Sequence, residues 1–164
     1  MQLVILASGR GSRLKNATKK KPKVFVNIFK NFSIYDYISA NFHLFKEIIL
    51  VSGYKYDYVR KKISSSKVKL IKNYNYKTTN MVESLFLAKK QIKQDLIVVY
   101  GDIIFDVTVI KKLINQKGSC LPLYSNWLWL WKKRMEKKKI ILDAEDLRTS
   151  KQRILSIGKK IDKK

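Results

Sequence analysis

Short, strongly apolar runs alternate with amphipathic segments through residue 114, and this alternation constrains the fold more than any other feature. The segments at residues 34–44, 56–63 and 81–92 carry apolar residues three and four positions apart, which is the helical period. The apolar runs stop at turn-forming or polar residues, as strands do, and lie at residues 2–7, 46–52, 67–72 and 95–100. Strands this apolar are usually covered on both faces. The sequence therefore predicts an α/β fold with a doubly wound, mostly parallel sheet and helices on both faces.

The pattern changes beyond Ser119, where shorter elements are predicted. Residues 119–125 have the composition of another strand and residues 127–135 that of a short helix, while residues 139–145 and 153–160 could pair as antiparallel strands. Core or lid packing explains the three tryptophans, Trp127, Trp129 and Trp131, better than a stacking surface for nucleic-acid bases. No internal repeat or Gly/Ser-rich linker interrupts the chain, so we predict a single domain over residues 1–164.

The chain carries 36 Lys and Arg residues against 12 Asp and Glu, a formal net charge of +24. Such an excess can indicate nucleic acid, an acidic membrane surface or an anionic substrate as partner. Here the excess is mainly lysine in pairs and short runs, whereas phosphate-clamping and base-reading surfaces favour arginine. We interpret most of it as surface charge and do not expect a nucleic-acid partner. A basic nucleic-acid-binding module is the alternative from another functional class.

The number of cysteines and the hydropathy of the chain indicate in which cellular compartment the protein is expected. No apolar run is long enough to span a bilayer, and the first residues show no signal peptide. A single cysteine, Cys120, cannot form an internal disulfide, which indicates a cytoplasmic protein. Cys120 lies in an apolar stretch, so we expect a buried small side chain rather than a nucleophile. His43, the only histidine, lies in a predicted helix away from every motif and is expected at a packing or surface position.

A glycine loop follows the first predicted strand, with Gly9 and Gly11 as its glycines. Glycines at the end of a buried strand let backbone N–H groups approach and cradle a phosphate chain. The third glycine of a dinucleotide fingerprint is absent, because Leu14 stands at its position. The Gly-Lys-Ser/Thr sequence of a Walker-type loop is also absent. Both common phosphate-binding loops are therefore disfavoured.

The loop together with Arg13, Thr18, Pro22 and Lys23 resembles the family of sugar-phosphate and phosphocholine-type nucleotidyltransferases. The signature of that family runs L-A-A-G-x-G-x-R-L, then a variable stretch with a threonine, then P-K. In this chain Ser8 replaces the second alanine. The resemblance implies a Rossmann-like nucleotidyltransferase fold, with Arg13 on the β- and γ-phosphates and Lys23 on the phosphates nearer the reacting centre. It also implies nucleotide binding by the loop residues Leu6, Ala7, Ser8, Gly9 and Gly11.

Asp102 comes directly after the most apolar predicted strand. Open α/β sheets place ligands at the carboxyl ends of their strands, and Mg²⁺ prefers one or two carboxylates completed by phosphate oxygens and water. Asp102 is therefore the predicted metal ligand, and a Gly-Asp pair at this place is also what the resembled family has. Asp106 is better explained as the N-cap of a helix near residues 107–114.

The segment T-N-M-V-E-S-L, residues 79–85, resembles the phosphocholine and 2-aminoethylphosphonate cytidylyltransferase branch of the family. This resemblance implies that Asn80 and Ser84 lie near a cytosine. Residues 143–145 and 157–159 also look like this branch, which implies that Lys159 contacts the phosphate of the acceptor. Either Thr79 or Asn80 is a suitable helix N-cap, with Glu83 as the reciprocal partner if Asn80 is the cap.

The implied reaction is transfer of CMP from CTP to a small phosphorylated or phosphonylated amine, by Mg²⁺-assisted in-line attack at the α-phosphorus with release of pyrophosphate. Residues 1–118 would bind the nucleotide and residues 119–164 the acceptor. Members of the resembled family continue past the position of Lys159 and carry a second metal-binding acid, so the resemblance predicts a C-terminally truncated fold. A sugar-1-phosphate nucleotidyltransferase and an inactive remnant are the alternatives.

Overall fold

The computed structural model describes residues 1–151 and 153–160, and it divides into two compact units, residues 1–120 and residues 121–164. The strands of the first unit are β1 (Gln2–Ala7), β2 (Asn27–Phe29), β3 (Phe32–Ser33), β4 (Glu47–Ser52), β5 (Val68–Lys72) and β6 (Leu96–Tyr100). Its α-helices are α1 (Ile34–Ser39), α2 (Tyr56–Lys62), α3 (Met81–Leu87) and α4 (Val107–Ile114). Short 3-10 segments lie at Ser12–Thr18, Lys23–Phe25, Phe42–Leu44 and Lys89–Gln91.

A four-stranded parallel sheet forms the centre of the first unit, in the order β5-β4-β1-β6. The chain leaves β1 toward β4 and β5 on one side and then crosses back to place β6 on the other side of β1. The winding direction therefore reverses between β1 and β6, which is where open α/β sheets bind ligands. The predicted doubly wound fold is confirmed.

Alternate residues of the strands enter two separate clusters of buried side chains, as the period of two requires. In β1, Leu3 and Ile5 join one cluster, whereas Val4 and Leu6 join the other. The larger cluster receives side chains from α1, α2 and α4, including Ile38, and the smaller one contains Ala88 at the end of α3. The sheet is thus covered by helices on both faces, which explains why its central strands β1 and β4 are mainly apolar and buried.

The second unit contains α5 (Trp127–Lys132), α6 (Lys137–Asp143), β7 (Glu145–Ser150) and β8 (Arg153–Lys160). Strands β7 and β8 form an antiparallel hairpin, so the strand predicted at residues 153–160 is present, but its partner is β7 and not residues 139–145. The strand predicted at residues 139–145 is wrong, because α6 occupies most of it. Ile140 and Ala144, which are both buried, stand four residues apart, and that is a helical spacing.

Two further predictions for this part of the chain are wrong. Residues 119–124 form no strand, and Pro122 cannot donate the backbone hydrogen bond that a strand ladder needs. Cys120 is exposed rather than buried. Of the two alternatives for the tryptophans, core packing is not found for Trp127 and Trp129, which are 41% and 61% exposed, and packing as a lid stays a prediction. The ring of Trp127 packs edge-on against that of Trp131, at 5.8 Å between centroids.

No helix within residues 1–151 and 153–160 combines the length and the hydropathy that crossing a membrane requires.

In the first unit, one close contact between two backbone segments fixes the ends of β1 and β6 relative to each other. The N–H of Gly101, just after β6, donates to the carbonyl oxygen of Leu6 in β1 at 2.9 Å. A Cβ atom at position 101 would lie 2.7 Å from the Cβ of Ala7 and 3.3 Å from that carbonyl oxygen. Only glycine allows the two strand ends to lie this close together.

We expect Gly101→Ala to lower the free energy of unfolding by about 1–3 kcal/mol, because the added methyl group forces β1 and β6 apart. Gly9→Ala is the matched control, since nothing lies within 4 Å of a Cβ at position 9 and it should change stability by no more than about 0.5 kcal/mol. Urea unfolding of both variants checks this. Equal midpoints for the two variants would contradict the steric argument.

Asp106 is the N-cap of α4, as predicted, and its carboxylate accepts the N–H of Thr108 at 2.8 Å. Hydrogen bonds from the side chain and backbone of Thr108 hold the pKa of Asp106 below its ordinary value. A carboxyl group whose pKa is lower in the folded state stabilises the fold above its unfolded pKa, and this contribution is lost as the pH falls through the folded pKa.

Asp106→Asn keeps a good N-cap but does not titrate. Between about pH 6 and about pH 3, we expect the wild type to lose more stability than this variant, measured by thermal unfolding at each pH. Parallel stability curves for the two proteins would show that the cap does not act through its charge.

Candidate active site

A cavity of about 330 Å³ opens at the carboxyl ends of β1 and β6, where the winding of the sheet reverses. Most of the residues predicted to bind nucleotide or metal line it: Leu6, Ala7, Ser8, Gly9, Gly11, Lys23, Asn80, Ser84 and Asp102. Residues that the motifs did not single out complete the lining: Val24, Tyr76, Thr79, Met81, Tyr100 and Gly101. Segments that are far apart in sequence therefore meet around a single space.

The glycine loop forms one wall of the cavity. Gly11 has a φ angle of +67°, and a Cβ there would lie 3.0 Å from the Cβ of Lys23, so the backbone needs glycine at this position. Gly9 differs, because its φ lies outside the left-handed region and no protein atom is within 4 Å of where a Cβ would be. Nothing in the protein itself requires glycine at position 9. The close approach of a ligand to the backbone is a physical reason for it.

Lys23 and Asp102 form an ion pair in the lining of the cavity. The Nζ atom of Lys23 lies 2.6 Å from a carboxylate oxygen of Asp102, and the two side chains are 35% and 40% exposed. An ion pair this open to solvent adds little to stability. The pair instead places a cation and a carboxylate side by side at the end of β6, and a polyphosphate with a bound divalent cation requires both kinds of charge.

The start of α3 forms the opposite wall. Of the two N-cap candidates, Asn80 is the cap, and it forms a reciprocal capping box with Glu83: the Oδ1 of Asn80 accepts the N–H of Glu83 at 3.0 Å, and the N–H of Asn80 donates to the Glu83 carboxylate at 2.8 Å. The Oγ of Ser84, which is buried, donates to the carbonyl oxygen of Asn80 at 3.1 Å. Both residues line the cavity through a regular helix N-terminus.

Asn73, which the sequence patterns did not single out, holds this wall in place through hydrogen bonds of its side chain. Its side chain is only 2% exposed, and its Nδ2 donates to Thr79 Oγ1 at 2.8 Å and to Ser84 Oγ at 3.0 Å. Its Oδ1 accepts the N–H of Asn75 at 2.9 Å. The segment before α3 is thereby tied to the end of β5, although it forms no regular element. A polar residue directly after a predicted strand was the only signal in the sequence.

Tyr54, also missed, braces the glycine loop. Its N–H donates to the carbonyl oxygen of Ser8 at 2.9 Å, and its hydroxyl donates to the carbonyl oxygen of Thr18 at 3.0 Å. The ring of Tyr76, which lines the cavity, packs edge-on against the ring of Tyr54, at 6.2 Å between centroids. The tyrosine-rich loops after β4 and β5 gave a compositional hint, but only the fold shows which tyrosines meet.

Arg13 and Lys159 are both exposed, each in its own unit of the chain. Arg13 is exposed within the segment Ser12–Thr18 and is absent from the described residues that line the cavity. Lys159 is exposed on β8 in the second unit, opposite Asp146. The roles of both residues stay predictions. His43 lies on the surface, as expected, with its Nδ1 2.9 Å from the carbonyl oxygen of Ala40.

Asp102 suits Mg²⁺ by the chemistry of its donor set. Among the described residues, no three His, Cys, Asp or Glu side chains cluster closely enough to hold a metal by themselves. Mg²⁺ does not need such a cluster, because it commonly binds through one or two carboxylates together with substrate phosphates and water. A single carboxylate next to a phosphate-sized cavity is consistent with a metal that arrives with a polyphosphate ligand.

A parallel sheet with a glycine loop, a lysine and a carboxylate at its switch point defines a domain of the nucleotidyltransferase class. Residues 3–126 match the MobA-like NTP transferase domain, and the chain belongs to this family. The predicted family is therefore confirmed.

Two curated relatives are cytidylyltransferases by name. The chain is 36% identical to the CTP:phosphoglutamine cytidylyltransferase of Campylobacter jejuni, over 98% of its own length and 66% of the relative's. It is 29% identical to the choline-phosphate cytidylyltransferase of Streptococcus pneumoniae, over 60% of its own length and 43% of the relative's. The chain thus spans less than two thirds of the length of these relatives.

Among solved structures, the fold is similar to that of the inositol-1-phosphate CTP transferase from T. maritima. The TM-score is 0.74 at 22% identity, covering 99% of this chain and 65% of that one. At this level of identity the likeness concerns the fold.

We expect Gly9→Ala to weaken nucleoside triphosphate binding about ten- to hundredfold, because its methyl group would enter the cavity next to the phosphates. Calorimetric titration with the nucleotide measures the effect, and the unfolding temperature of the same variant is the control. Unchanged affinity would mean that the nucleotide does not approach the backbone at this position.

Proposed function

We propose that the protein transfers CMP from CTP to a phosphate or phosphonate oxygen of a small nitrogen-containing acceptor and releases pyrophosphate. The observation that carries the proposal is the meeting of the glycine loop, Lys23 and Asp102 around one cavity, with the start of α3 on its other side. The names of the two cytidylyltransferase relatives support cytidine as the nucleoside.

The chain's own groups would act by positioning and charge. The backbone N–H groups around Gly9 would hold the triphosphate, and Lys23 would neutralise charge that builds up near the α-phosphorus during in-line attack. Arg13, which is exposed on the same loop, would have to turn toward the β- and γ-phosphates. An acceptor phosphate or phosphonate is already an anion near neutral pH, so the attacking oxygen needs no general base. The position of His43 on the surface agrees with this.

Asp102 would hold Mg²⁺ together with oxygens of the nucleotide phosphates. When bound, the ion supplies charge neutralisation and a fixed orientation of the phosphate chain. Lys23 would then be released from its contact with Asp102 and become available to the phosphates. Acceptor binding is proposed for residues 119–164, with Lys159 as a phosphate contact.

The decisive experiment measures pyrophosphate release from CTP with phosphocholine, 2-aminoethylphosphonate or phosphoglutamine as acceptor, with and without Mg²⁺. UTP, dTTP and GTP with a sugar 1-phosphate serve as the comparison. We expect turnover with CTP and one of the first three acceptors. Turnover only with a sugar 1-phosphate, or only tight DNA or RNA binding with steep salt dependence, would contradict the proposal.

We expect Asp102→Asn and Lys23→Gln each to lower kcat/KM for this transfer by at least about a hundredfold, because each removes a charge aimed at the phosphates. Lys20→Gln is the matched control, since it removes one positive charge from an exposed position of the same loop. If Lys20→Gln and Lys23→Gln lose activity equally, the effect belongs to the net charge of the loop and not to Lys23.

A further inference from the structure

We propose that Tyr54 is a positioning residue for the transfer: its hydroxyl group, acting through Thr18, holds the glycine loop in the conformation that receives the triphosphate. The inference rests on the proposed function, which supplies a nucleoside triphosphate as the ligand of that loop. Tyr54 follows β4 and is half-buried, and its hydrogen bonds go to the backbone of the loop.

Tyr54 contacts the chain on both sides of the loop. Its N–H donates to the carbonyl oxygen of Ser8 at 2.9 Å, where the chain leaves β1. Its hydroxyl shares one hydrogen between the carbonyl oxygens of Thr18 and Lys19, at 3.0 and 3.3 Å, where the segment Ser12–Thr18 ends. Ser8 and Thr18 are thus fixed to the same residue, which restricts the conformations that are open to the backbone between them.

Thr18 transmits this restraint to the cavity. It is the one buried residue of the segment Ser12–Thr18, at 3% exposure. Its Oγ1 lies 3.2 Å from the carbonyl oxygens of both Gly11 and Lys15 and shares its single hydrogen between them. Gly11 lines the cavity, and a Cβ there would lie 3.0 Å from the Cβ of Lys23. Successive hydrogen bonds therefore connect the tyrosine hydroxyl to the glycine backbone beside Lys23.

The segment Ser12–Thr18 depends on such a restraint. Its residues other than Thr18 are exposed, so burial holds the segment at one point. Lys15 has a φ of +44° and a ψ of −114°, a strained conformation that persists when surrounding contacts enforce it. The Thr18 hydroxyl, which binds the carbonyl oxygen of Lys15, is one of these contacts. Loss of the tyrosine hydroxyl would free Thr18 and let the strained backbone relax.

Tyr54→Phe tests the hydroxyl by itself, because it keeps the ring that packs against Tyr76 and the backbone bond to Ser8. We expect this variant to bind CTP about three- to tenfold more weakly in calorimetric titration, which is the effect of one lost hydrogen bond. Tyr37→Phe is the matched control, since its hydroxyl donates to the carbonyl oxygen of Phe105 at 2.7 Å, outside the loop. If both variants lose affinity equally, the loss is not specific to the loop and the inference is overturned.

A double-mutant cycle tests the path through Thr18. Thr18→Val removes the hydroxyl that binds the carbonyl oxygen of Gly11, and Thr18→Ser keeps a hydroxyl at this position. If the two hydroxyl groups act in series, Tyr54→Phe should weaken CTP binding much less in the Thr18→Val background than in the wild type or in Thr18→Ser. Fully additive losses would mean that Tyr54 does not act through Thr18.

Limited trypsin digestion of the full chain reports on the loop without a nucleotide. Early cleavage after Arg13 and Lys15, followed by mass spectrometry, should be about three- to tenfold faster in Tyr54→Phe than in the wild type or in Tyr37→Phe. Unchanged cleavage or unchanged CTP affinity in Tyr54→Phe overturns the inference. Neither measurement needs an acceptor, so a protein that shows both effects but transfers nothing would contradict the proposed function while supporting this inference.

Discussion

The hydrogen bond between Gly101 and Leu6 is the contact on which the site depends. It holds the ends of β1 and β6 together at the point where the winding of the sheet reverses. The glycine loop leaves one of these strands and Asp102 follows the other, so the loop and the carboxylate of Asp102 become neighbours as a consequence of strand pairing. The absence of a side chain at Gly101 is the condition for this, since a Cβ there would overlap Ala7.

Around this fixed edge, the remaining walls are loops held by specific hydrogen bonds. Tyr54 ties the glycine loop to the turn at Thr18, and Asn73 ties the start of α3 to the end of β5. Both supports come from strands of the same sheet, because Tyr54 follows β4 and Asn73 follows β5. A rigid sheet thus positions loops whose own backbones have little regular structure. Such an arrangement is how α/β proteins combine a stable core with an adaptable site.

The net charge of the whole chain and the charges in the cavity indicate different kinds of ligand. The formal charge of +24 alone would have indicated nucleic acid. In the cavity, however, a single lysine meets a single carboxylate, and the remaining lining is mainly glycine, small polar, apolar and aromatic side chains. This local pattern is suited to a small phosphorylated ligand with a bound cation. The position of one lysine beside one aspartate therefore carries more functional information than the excess of lysine over the whole chain.

The four parallel strands, the cap at Asp106 and the motif residues Gly9, Lys23 and Asp102 followed from the sequence alone, whereas Thr79 and Asn80 both stayed candidates for the cap of α3. These follow from local rules: the hydrophobic period, the geometry of helix ends and the need for glycine or charge at a phosphate. The tertiary structure was needed for every feature that depends on residues distant in sequence. It placed Arg13 outside the cavity, showed that the hydroxyl of Ser84 is already committed to Asn80, and brought Tyr54 and Asn73 behind the walls. It also replaced a predicted strand by α6 and exposed Trp129. The burial of a side chain and its hydrogen-bond partners depend on how separate segments pack together. The hydrophobic period or the motif within one segment cannot predict them.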